Sequence, residues 1–291
     1  MKELNIYSPR QIKQLLMESS LHPHKRWGQN FLVDANIAKK ILREVNYQPG
    51  DQIIEVGPGL GALTLPMLQG GASVLAVEID SGLVEVLEYL LEDYPRKYIV
   101  QGDVLKLDLG CLAKACWGSE NDNLIKIVAN LPYYITSPFT YSLLESEFEW
   151  HRAVLMVQKE VAQRLTATFN SPHYGALSVL CSHFTDLHMV FNVSSNVFYP
   201  SPRVDSAVVV MEPKQEKDPP LQDESCFINL VNHLFRYRRK TMSNSLSYYL
   251  GLERVQVDKI LIDAEIDPKQ RPDAVTPQKF ANLSKLIYNM M

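Results

Sequence analysis

Apolar and polar positions between residues 50 and 212 predict strands that alternate with helices. Short apolar runs of strand length recur, and stretches with helical spacing of apolar residues lie between them. The predicted strands are residues 53–56, 73–77, 98–101, 125–129, 153–158, 187–192 and 204–211. The predicted helices are residues 62–68, 82–91, 138–144, 160–166 and 175–183. This alternation indicates an α/β fold, in which a mostly parallel sheet carries helices on both faces.

Helical patterns alone flank this central region. Ser8 and Asp34 are placed to cap two helices near the N-terminus. After a break rich in Lys, Glu and Pro at 213–220, the remaining predicted helices are 224–235, 241–250, 255–262 and 278–288. We therefore expect two domains: residues 1–212, an α/β domain with an N-terminal helical extension, and residues 213–291, a small all-helical domain.

Composition narrows the class of protein without identifying it. Hydrophobic residues make up 46% of the 291-residue chain and charged residues 21%, which is typical of a globular protein. We expect no secretory signal, because the N-terminus lacks a basic start followed by an apolar run. The four cysteines form no CxxC pair, so we expect reduced thiols in a cytoplasmic protein and no metal site.

The distribution of charge is more informative than the net charge of −4. Residues 1–30 carry +3, residues 31–212 carry −9 and residues 213–291 carry +2. Four of the five residues from Arg236 to Lys240 are cationic. Because local basic patches govern affinity for nucleic acid, the negative total does not exclude RNA as a partner.

A glycine-rich loop and three acidic residues predict a cofactor site. The first predicted strand of the sheet runs into Gly57-Pro58-Gly59-Leu60-Gly61, while Glu78 and Asp103 end the next two strands. A nicotinamide dinucleotide fits poorly, because the third glycine comes one residue early and Glu55 would oppose a pyrophosphate. The acidic set suits S-adenosylmethionine, which carries an amino acid and a sulfonium. The sheet is then expected to be the Rossmann-like sheet of an S-adenosylmethionine-dependent methyltransferase.

Asn130-Leu131-Pro132-Tyr133 follows the fourth predicted strand of the sheet, at the same edge as the glycine loop. The side-chain carbonyl of Asn130 and the backbone carbonyl of Leu131 could accept both hydrogens of an adenine amine. Its lone pair would then face the methyl donor. Pro132 fixes its own backbone angle, and Tyr133 offers a ring for stacking. Such catalysis depends on positioning and polar preorganisation.

These motifs together resemble the ribosomal RNA adenine dimethyltransferase family. The resemblance is to its bacterial enzymes, which dimethylate two adjacent adenosines near the 3′ end of small-subunit (16S) rRNA. Gly28-Gln29-Asn30-Phe31-Leu32 matches the family's opening motif, and the segment from Phe198 to Ser206 matches its Phe-x-Pro-x-Pro-x-Val-x-Ser pattern. Arg238-Arg239-Lys240-Thr241 matches the basic turn of its helical domain. The resemblance implies a partner in the precursor of the 30S subunit, a monomer, and a role in ribosome biogenesis.

The resemblance and the residue pattern together assign roles to named residues. The residues expected at the cofactor are Gln29, Asn30, Leu32, Glu55, Gly57, Gly59, Gly61, Glu78, Asp103 and Asn130. Those expected at the target adenine are Asn130, Leu131, Pro132, Tyr133 and Phe198, with Phe198 closing over the base. Those expected to bind RNA are Arg236, Arg238, Arg239 and Lys240.

Three alternatives stay open at this point. A macrolide-resistance methylase would use the same chemistry on large-subunit RNA, although the opening motif and the basic turn favour the small-subunit enzyme. An RNA-binding assembly factor would hold an immature subunit, with methylation secondary. A mitochondrial relative with a role in transcription is less favoured, because residues 1–30 do not have the acid-poor pattern of a presequence.

Overall fold

The computed structural model describes residues 5–19, 21, 28–118 and 125–290. Its strands are β1 (Phe31–Leu32), β2 (Gln52–Val56), β3 (Ser73–Glu78), β4 (Lys97–Gln101), β5 (Ile125–Asn130), β6 (Trp150–Gln158), β7 (Thr185–Val193), β8 (Phe198–Tyr199) and β9 (Ser206–Pro213). Its α-helices are α1 (Pro9–Glu18), α2 (Ala35–Val45), α3 (Thr64–Gln69), α4 (Ser81–Leu90), α5 (Leu109–Trp117), α6 (Thr136–Leu144), α7 (Lys159–Leu165), α8 (Ala176–Phe184), α9 (Glu224–Arg236), α10 (Met242–Leu250), α11 (Arg254–Asp263) and α12 (Pro277–Tyr288). None of these helices has the length and apolar character needed to cross a membrane.

Seven strands form one sheet in the order β4-β3-β2-β5-β6-β9-β7. Strands β2 to β6 run parallel, whereas β9 is antiparallel to β6. The predicted α/β class with a mostly parallel sheet is therefore confirmed. Val56 at the end of β2 lies beside Val77 of β3 and Ala129 of β5, so the loops that follow these strands meet at one edge.

The core of the sheet follows from strands that are apolar along most of their length. Every residue of β2 and β3 is buried, because helices cover both faces of a parallel sheet and leave no polar side. Ile53, Val74 and Val128 belong to the same core cluster as the α2 residues Ala38 and Ile41.

Side-chain caps fix where two helices near the cofactor loop begin. The Asp34 carboxylate accepts hydrogen bonds from the backbone N–H groups of Asn36 and Ile37 at the start of α2. The Asp80 carboxylate accepts from the N–H groups of Gly82 and Leu83 at the start of α4. Each cap satisfies backbone donors that have no partner within the helix.

The chain divides into two compact units. Unit 1 takes Met1–Ala162 and His188–Glu212, and unit 2 takes Gln163–Leu187 and Pro213–Met291. The predicted domain break near 213 coincides with one junction, but the expectation of a single domain over 1–212 differs from this grouping. Residues 163–187 belong with the C-terminal helices, because Tyr174 donates a hydrogen bond to the carbonyl of Val275 (2.9 Å) and the Phe184 ring contacts Phe227 (5.9 Å between centroids).

Helix α5 and strands β1 and β8 were absent from the sequence prediction. Helix α5 lies between the third and fourth predicted strands of the sheet. A separate antiparallel ladder pairs β1 with β8, with Leu32 opposite Phe198 and Phe31 opposite Tyr199. This ladder places the opening motif beside the segment that begins at Phe198.

Candidate active site

A cavity lies at the carboxyl edge of the parallel strands, within unit 1. It is bounded by the loop after β2, the ends of β3 and β5, the opening motif and Phe198. Its lining residues are Ile6, Ile12, Gly28, Gln29, Asn30, Phe31, Leu32, Glu55, Gly57, Pro58, Gly59, Leu60, Ala62, Leu63, Glu78, Ile79, Leu83, Asn130, Leu131, Pro132, Tyr133 and Phe198.

The glycine loop requires glycine for reasons of both conformation and space. Gly59 has φ +57°, in the left-handed region that side chains rarely adopt. A Cβ atom at Gly59 would lie 3.1 Å from Cδ1 of Phe31. Gly61 has φ +83°, and its Cβ would lie 3.1 Å from Cδ1 of Leu87. Gly59 is part of the cavity lining. Gly61 is not, and its lack of a side chain allows the loop to pack against Leu87 of α4.

The carboxylate of Glu78 is held by backbone donors. Its Oε1 accepts from the N–H groups of Ile79 (2.9 Å) and Asp80 (3.1 Å), and its Oε2 accepts from Gly59 N–H (3.2 Å). Burial raises the pKa of Glu78, and the backbone hydrogen bonds oppose that rise. Each carboxylate oxygen has two lone pairs, so Oε1 is fully used and Oε2 can still accept from one ribose hydroxyl.

Glu55 is a buried acid without a counter-charge. It is 2% exposed, and its Oε2 has no hydrogen-bond partner among the described residues. Burial raises the pKa of Glu55 to about 8, and the charge of Glu78 adds to the rise. A ligand with a positive charge would supply the missing partner. The donor set therefore fits S-adenosylmethionine better than a dinucleotide with a pyrophosphate.

Hydrogen bonds hold the opening motif against the cavity. Gln29 Nε2 donates to Asp80 Oδ2 (2.8 Å), and Asn30 Nδ2 donates to the carbonyl of Gly28 (2.8 Å). Leu32 follows in β1, where it lines the cavity beside Phe198. Each of these three predicted cofactor residues therefore lies at the cavity wall.

The segment that begins at Asn130 is also fixed in place. Asn130 Nδ2 donates to the carbonyl of Asn30 (3.1 Å), and Leu131 N–H donates to the carbonyl of Met156 (3.2 Å). The Tyr133 hydroxyl is hydrogen-bonded to Ser206 Oγ (3.1 Å). Since the amide nitrogen of Asn130 is occupied by a carbonyl, its Oδ1 is the group that can accept from a substrate amine.

The aromatic residues at this wall differ in accessibility. Phe198 is 5% exposed and belongs to the core of unit 1, whereas Tyr133 is half-buried. Burial raises the pKa of Tyr133, so its hydroxyl stays protonated at neutral pH. Both rings line the cavity, together with Leu131 and Pro132.

Two predicted cofactor residues, Gly61 and Asp103, do not line the cavity. Gly61 packs against α4, and Asp103 lies at the turn after β4. Its carboxylate accepts from Leu105 N–H (3.1 Å) and forms an ion pair with Lys106 (3.7 Å). It therefore stabilises the turn after β4 in this conformation. Its contact with adenine remains a prediction.

Several residues at the site were missed by sequence reasoning. Ile6 and Ile12 come from the N-terminal segment; Ile12 lies on the buried face of α1, whereas Ile6 precedes this helix. Tyr7 donates to the carbonyl of Ala62 (2.7 Å); burial raises its pKa to about 12, and the charge of Glu55 adds to that rise. Asp80 could have been identified, since an Asp followed by Ser-Gly is a helix-capping pattern.

The predicted RNA-binding residues lie in unit 2 and are all solvent-accessible. Arg236 is the last residue of α9, and the others form the turn before α10. Arg238 is paired with Asp273 (3.4 Å) and donates to the carbonyl of Pro172 (3.2 Å). In the described part of the chain, no group of three His, Cys, Asp or Glu side chains could hold a metal ion.

The sheet, the glycine loop and the unpaired buried acid define an S-adenosylmethionine-dependent methyltransferase. The family model described as "Ribosomal RNA adenine dimethylase" matches residues 21–288. The chain belongs to this family, and it is an rRNA adenine dimethyltransferase that uses S-adenosylmethionine as methyl donor.

Individual relatives agree with this assignment. A protein of Moorella thermoacetica named ribosomal RNA small subunit methyltransferase A is 40% identical, over 97% of this chain and 99% of its own. A protein of Shouchella clausii with the same name is 37% identical, over 99% of this chain and 97% of its own.

Solved structures show the same fold. A dimethyladenosine transferase from Plasmodium falciparum gives a TM-score of 0.72 at 24% identity, covering 88% of this chain and 96% of its own. The 23S rRNA methyltransferase ErmE gives a TM-score of 0.66 at 23% identity, covering 89% of this chain and 100% of its own. Both structures are less than 25% identical to this chain, so they show its fold and do not indicate its RNA target.

Proposed function

We propose that this enzyme dimethylates the exocyclic amines of two adjacent adenosines near the 3′ end of small-subunit rRNA, within a precursor of the 30S subunit. The names of the relatives at 37–40% identity support the small subunit as the target. One observation supports methyl transfer to adenine: the segment from Asn130 to Tyr133 and the glycine loop line the same cavity. The enzyme acts as a monomer in the cytoplasm. Its methylation of the small-subunit precursor supports ribosome biogenesis.

Asn130 prepares the target amine for transfer. An adenine amine is a weak nucleophile because its lone pair is delocalised into the ring. The Asn130 Oδ1 and the Leu131 carbonyl each accept one of its hydrogens, which favours tetrahedral geometry at nitrogen and localises the lone pair. The hydrogen bond from Asn130 to Asn30 sets the direction of this acceptor before substrate binds, so little reorganisation is needed.

The aromatic residues hold the base. A single adenosine must leave its helix to reach the cavity, and a flipped base is commonly stacked between aromatic or apolar side chains. Tyr133 and Phe198 provide such surfaces at the cavity wall. Pro132 has φ −53° and contributes no N–H that would compete with the amine.

The cofactor residues orient the donor. S-adenosylmethionine supplies a methyl group activated by a sulfonium. Glu78 accepts from a ribose hydroxyl, while Glu55 balances the positive charge of the donor. Gln29, Asn30, Leu32 and the glycine loop enclose the rest of the donor.

Unit 2 supplies an RNA-binding surface in this proposal. Arg236, Arg238, Arg239 and Lys240 are solvent-accessible and place several positive charges close together in sequence. Such a cluster binds phosphates without reading sequence, which leaves recognition of the target to the cavity and to the shape of the RNA.

Methyl transfer to isolated subunits tests the proposal. Purified small and large subunits that lack the modification are incubated with enzyme and radiolabelled S-adenosylmethionine, and the RNA is digested to nucleosides. Small subunits that already carry the modification are the matched control and should take up no label.

We expect dimethyladenosine in small-subunit RNA alone. Label confined to large-subunit RNA would replace the proposal with a resistance-type methylase. Absence of label, with S-adenosylmethionine still bound, would indicate an RNA-binding assembly factor instead.

A further inference from the structure

A polar groove lies between α9 and α10, within unit 2. Four residues of α9 line it at helical spacing, so they share one face of the helix, and Tyr249 of α10 also lines it. The α9 residues are Asn229, Asn232, His233 and Arg236. The groove is open to solvent and has a volume of about 490 Å³, in the range of small-ligand sites.

Tyrosine rings gather around the imidazole of His233. Its centroid lies 4.7 Å from that of Tyr249, 5.2 Å from that of Tyr237 and 5.9 Å from that of Tyr248. The planes of His233 and Tyr248 differ by 23°, so these two rings are stacked. Burial lowers the pKa of His233, and the charge of Arg236 lowers it further. The imidazole is therefore neutral at physiological pH.

Tyr248 remains largely open to solvent although it stacks on His233. Its side chain is 72% exposed, which is high for an aromatic residue in a ring cluster. The His233 and Tyr237 rings support its orientation. A flat ring that is both held and exposed is a surface on which another planar group can stack.

We propose that this α9–α10 groove binds an unpaired nucleotide of the RNA that the enzyme methylates. The groove is lined by Asn229, Asn232, His233, Arg236 and Tyr249, and Tyr248 adjoins it by stacking on His233; these six are the groove residues. This inference rests on the proposed action on rRNA, and it adds a site that receives a base rather than a phosphate alone.

The chemistry of the groove fits a nucleotide in each of its parts. A base stacks on Tyr248, because every base has a π face. The Asn229 amide offers both a donor and an acceptor to the edge of a base. The Arg236 guanidinium suits the attached phosphate. A paired base has both faces covered by its neighbours, so the groove selects unpaired strands.

Charge favours RNA over an acidic or apolar protein segment as the occupant. None of the six groove residues is acidic, and Arg236 also belongs to the predicted RNA-binding cluster. The exposed Arg239 and Lys240 follow within four residues. The groove and this basic turn can therefore engage one continuous strand.

Binding of paired and unpaired RNA by the full-length protein tests the proposal. Fluorescence anisotropy measures affinity, at one fixed salt concentration, for a labelled single-stranded oligonucleotide and for a labelled hairpin with the same number of phosphates. The two strands of the hairpin are joined by a non-nucleotide linker, so that it contains no unpaired base. The variants are Tyr248→Ala, Tyr248→Phe and Asn229→Ala. Tyr288→Ala is the matched control, since Tyr288 is a partly exposed tyrosine of unit 2, 43% exposed, on another helix.

We expect Tyr248→Ala to weaken binding of the single strand by about 5- to 100-fold and to leave hairpin binding nearly unchanged. Tyr248→Phe keeps the ring and should retain affinity, as should Tyr288→Ala. Asn229→Ala should weaken the single strand more than the hairpin. Arg239→Gln should weaken both RNAs alike, because it removes only a phosphate contact.

Two results would overturn the proposal. One is single-strand affinity in Tyr248→Ala and Asn229→Ala equal to that of the wild type. The other is an equal loss for both RNAs, which would make the groove part of a general electrostatic surface. A circular dichroism melt of each variant verifies folding, and Tyr248→Phe separates loss of the ring from loss of the hydroxyl.

Methylation kinetics separate this proposal from the proposed function. With unmethylated small subunits, Tyr248→Ala should raise KM and leave kcat unchanged. If the wild type methylates these subunits and Tyr248→Ala has the same KM, the proposal that the groove binds a nucleotide would be wrong, and the proposed function would stand. Failure of the wild type to label small subunits would instead overturn the proposed function, and the oligonucleotide measurements would still decide what the groove binds.

Discussion

The side-chain amide of Asn130 donates a hydrogen bond of 3.1 Å to the backbone carbonyl of Asn30, 100 residues earlier in the chain. This contact joins the segment expected at the target adenine to the motif expected at the cofactor. Because the amide nitrogen is the donor, the amide oxygen is left as the acceptor. The cofactor side of the cavity thereby sets the orientation of the group that receives the adenine amine.

We expect Asn130→Ala to reduce kcat for methyl transfer by about 10²- to 10³-fold, the loss typical of one preorganised polar group. Folding and the Kd for S-adenosylmethionine should change little, since many other residues enclose the donor. Single-turnover transfer to unmethylated small subunits measures the first quantity, and calorimetry measures the second.

Asn130→Asp distinguishes the role of the amide nitrogen, which donates to Asn30, from the role of the amide oxygen, which accepts from the adenine amine. This variant keeps acceptor oxygens but cannot donate to the Asn30 carbonyl, and its negative charge would face that oxygen. We expect activity as low as that of Asn130→Ala. Full turnover by the Ala variant would refute the proposed role of Asn130, whereas full turnover by the Asp variant alone would show that the contact with Asn30 is dispensable.

Binding of S-adenosylmethionine should release a proton from Glu55. The pKa of Glu55 is raised to about 8 by burial, so the free protein holds this carboxyl mostly protonated at neutral pH. A positively charged donor favours the carboxylate and lowers this pKa. Affinity should therefore increase as the pH rises from about 6 to about 8 and then level off.

Calorimetry at neutral pH in two buffers with different ionisation enthalpies measures the proton released. Glu55→Gln has no such proton, so the difference between wild type and variant isolates Glu55 from titration of the donor's own amine. Equal proton release by the two proteins would rule out this coupling.

Gly59→Ala should destabilise the fold and abolish binding of the donor. The left-handed conformation at φ +57° costs about 1–2 kcal/mol with a side chain, and the Cβ atom would also press on Phe31 at 3.1 Å. Urea unfolding measures the free energy, and calorimetry measures binding. The control is Gly50→Ala, where φ is +95° but no atom lies within 4 Å of the position that a Cβ would take. This control should lose stability but keep affinity; equal affinity in both variants would contradict the prediction.

The sheet was predictable because burial on both faces makes each central strand a nearly continuous apolar run. The residues of β2 are all buried, and the glycine loop follows them directly in sequence. The residues expected at the target adenine lie at the same edge for the same reason, since β5 is parallel to β2. The positions of these strands and of their ends are thus encoded locally.

Features that depend on tertiary contacts were not predictable in this way. The β1–β8 ladder has two residues on each side, too few to show a period. Asp103 follows β4 as expected, but its carboxylate binds Leu105 N–H, a choice that strand position does not determine. The helical pattern at α8 could not reveal which core the helix joins, and it packs within unit 2.

Unit 2 should lose stability in mild acid because of His183. This residue is 3% exposed and contacts the rings of Phe184 and Phe227. Burial lowers its pKa to about 4, and the charges of Lys214 and Lys217 contribute. The unfolded chain binds a proton near the ordinary pKa of 6.5, so the stabilisation is present above that pH and is lost as the pH falls toward 4.

Urea unfolding between about pH 7 and about pH 5 should therefore show a loss of about 1–2 kcal/mol attributable to this group. His183→Gln removes the titration and should flatten the dependence by that amount, even if the variant is less stable throughout. His151 is exposed, so His151→Gln should retain the wild-type dependence. The variant has no imidazole at residue 183. If it loses as much stability over this pH interval as the wild type, the acid sensitivity comes from other groups and the prediction is wrong.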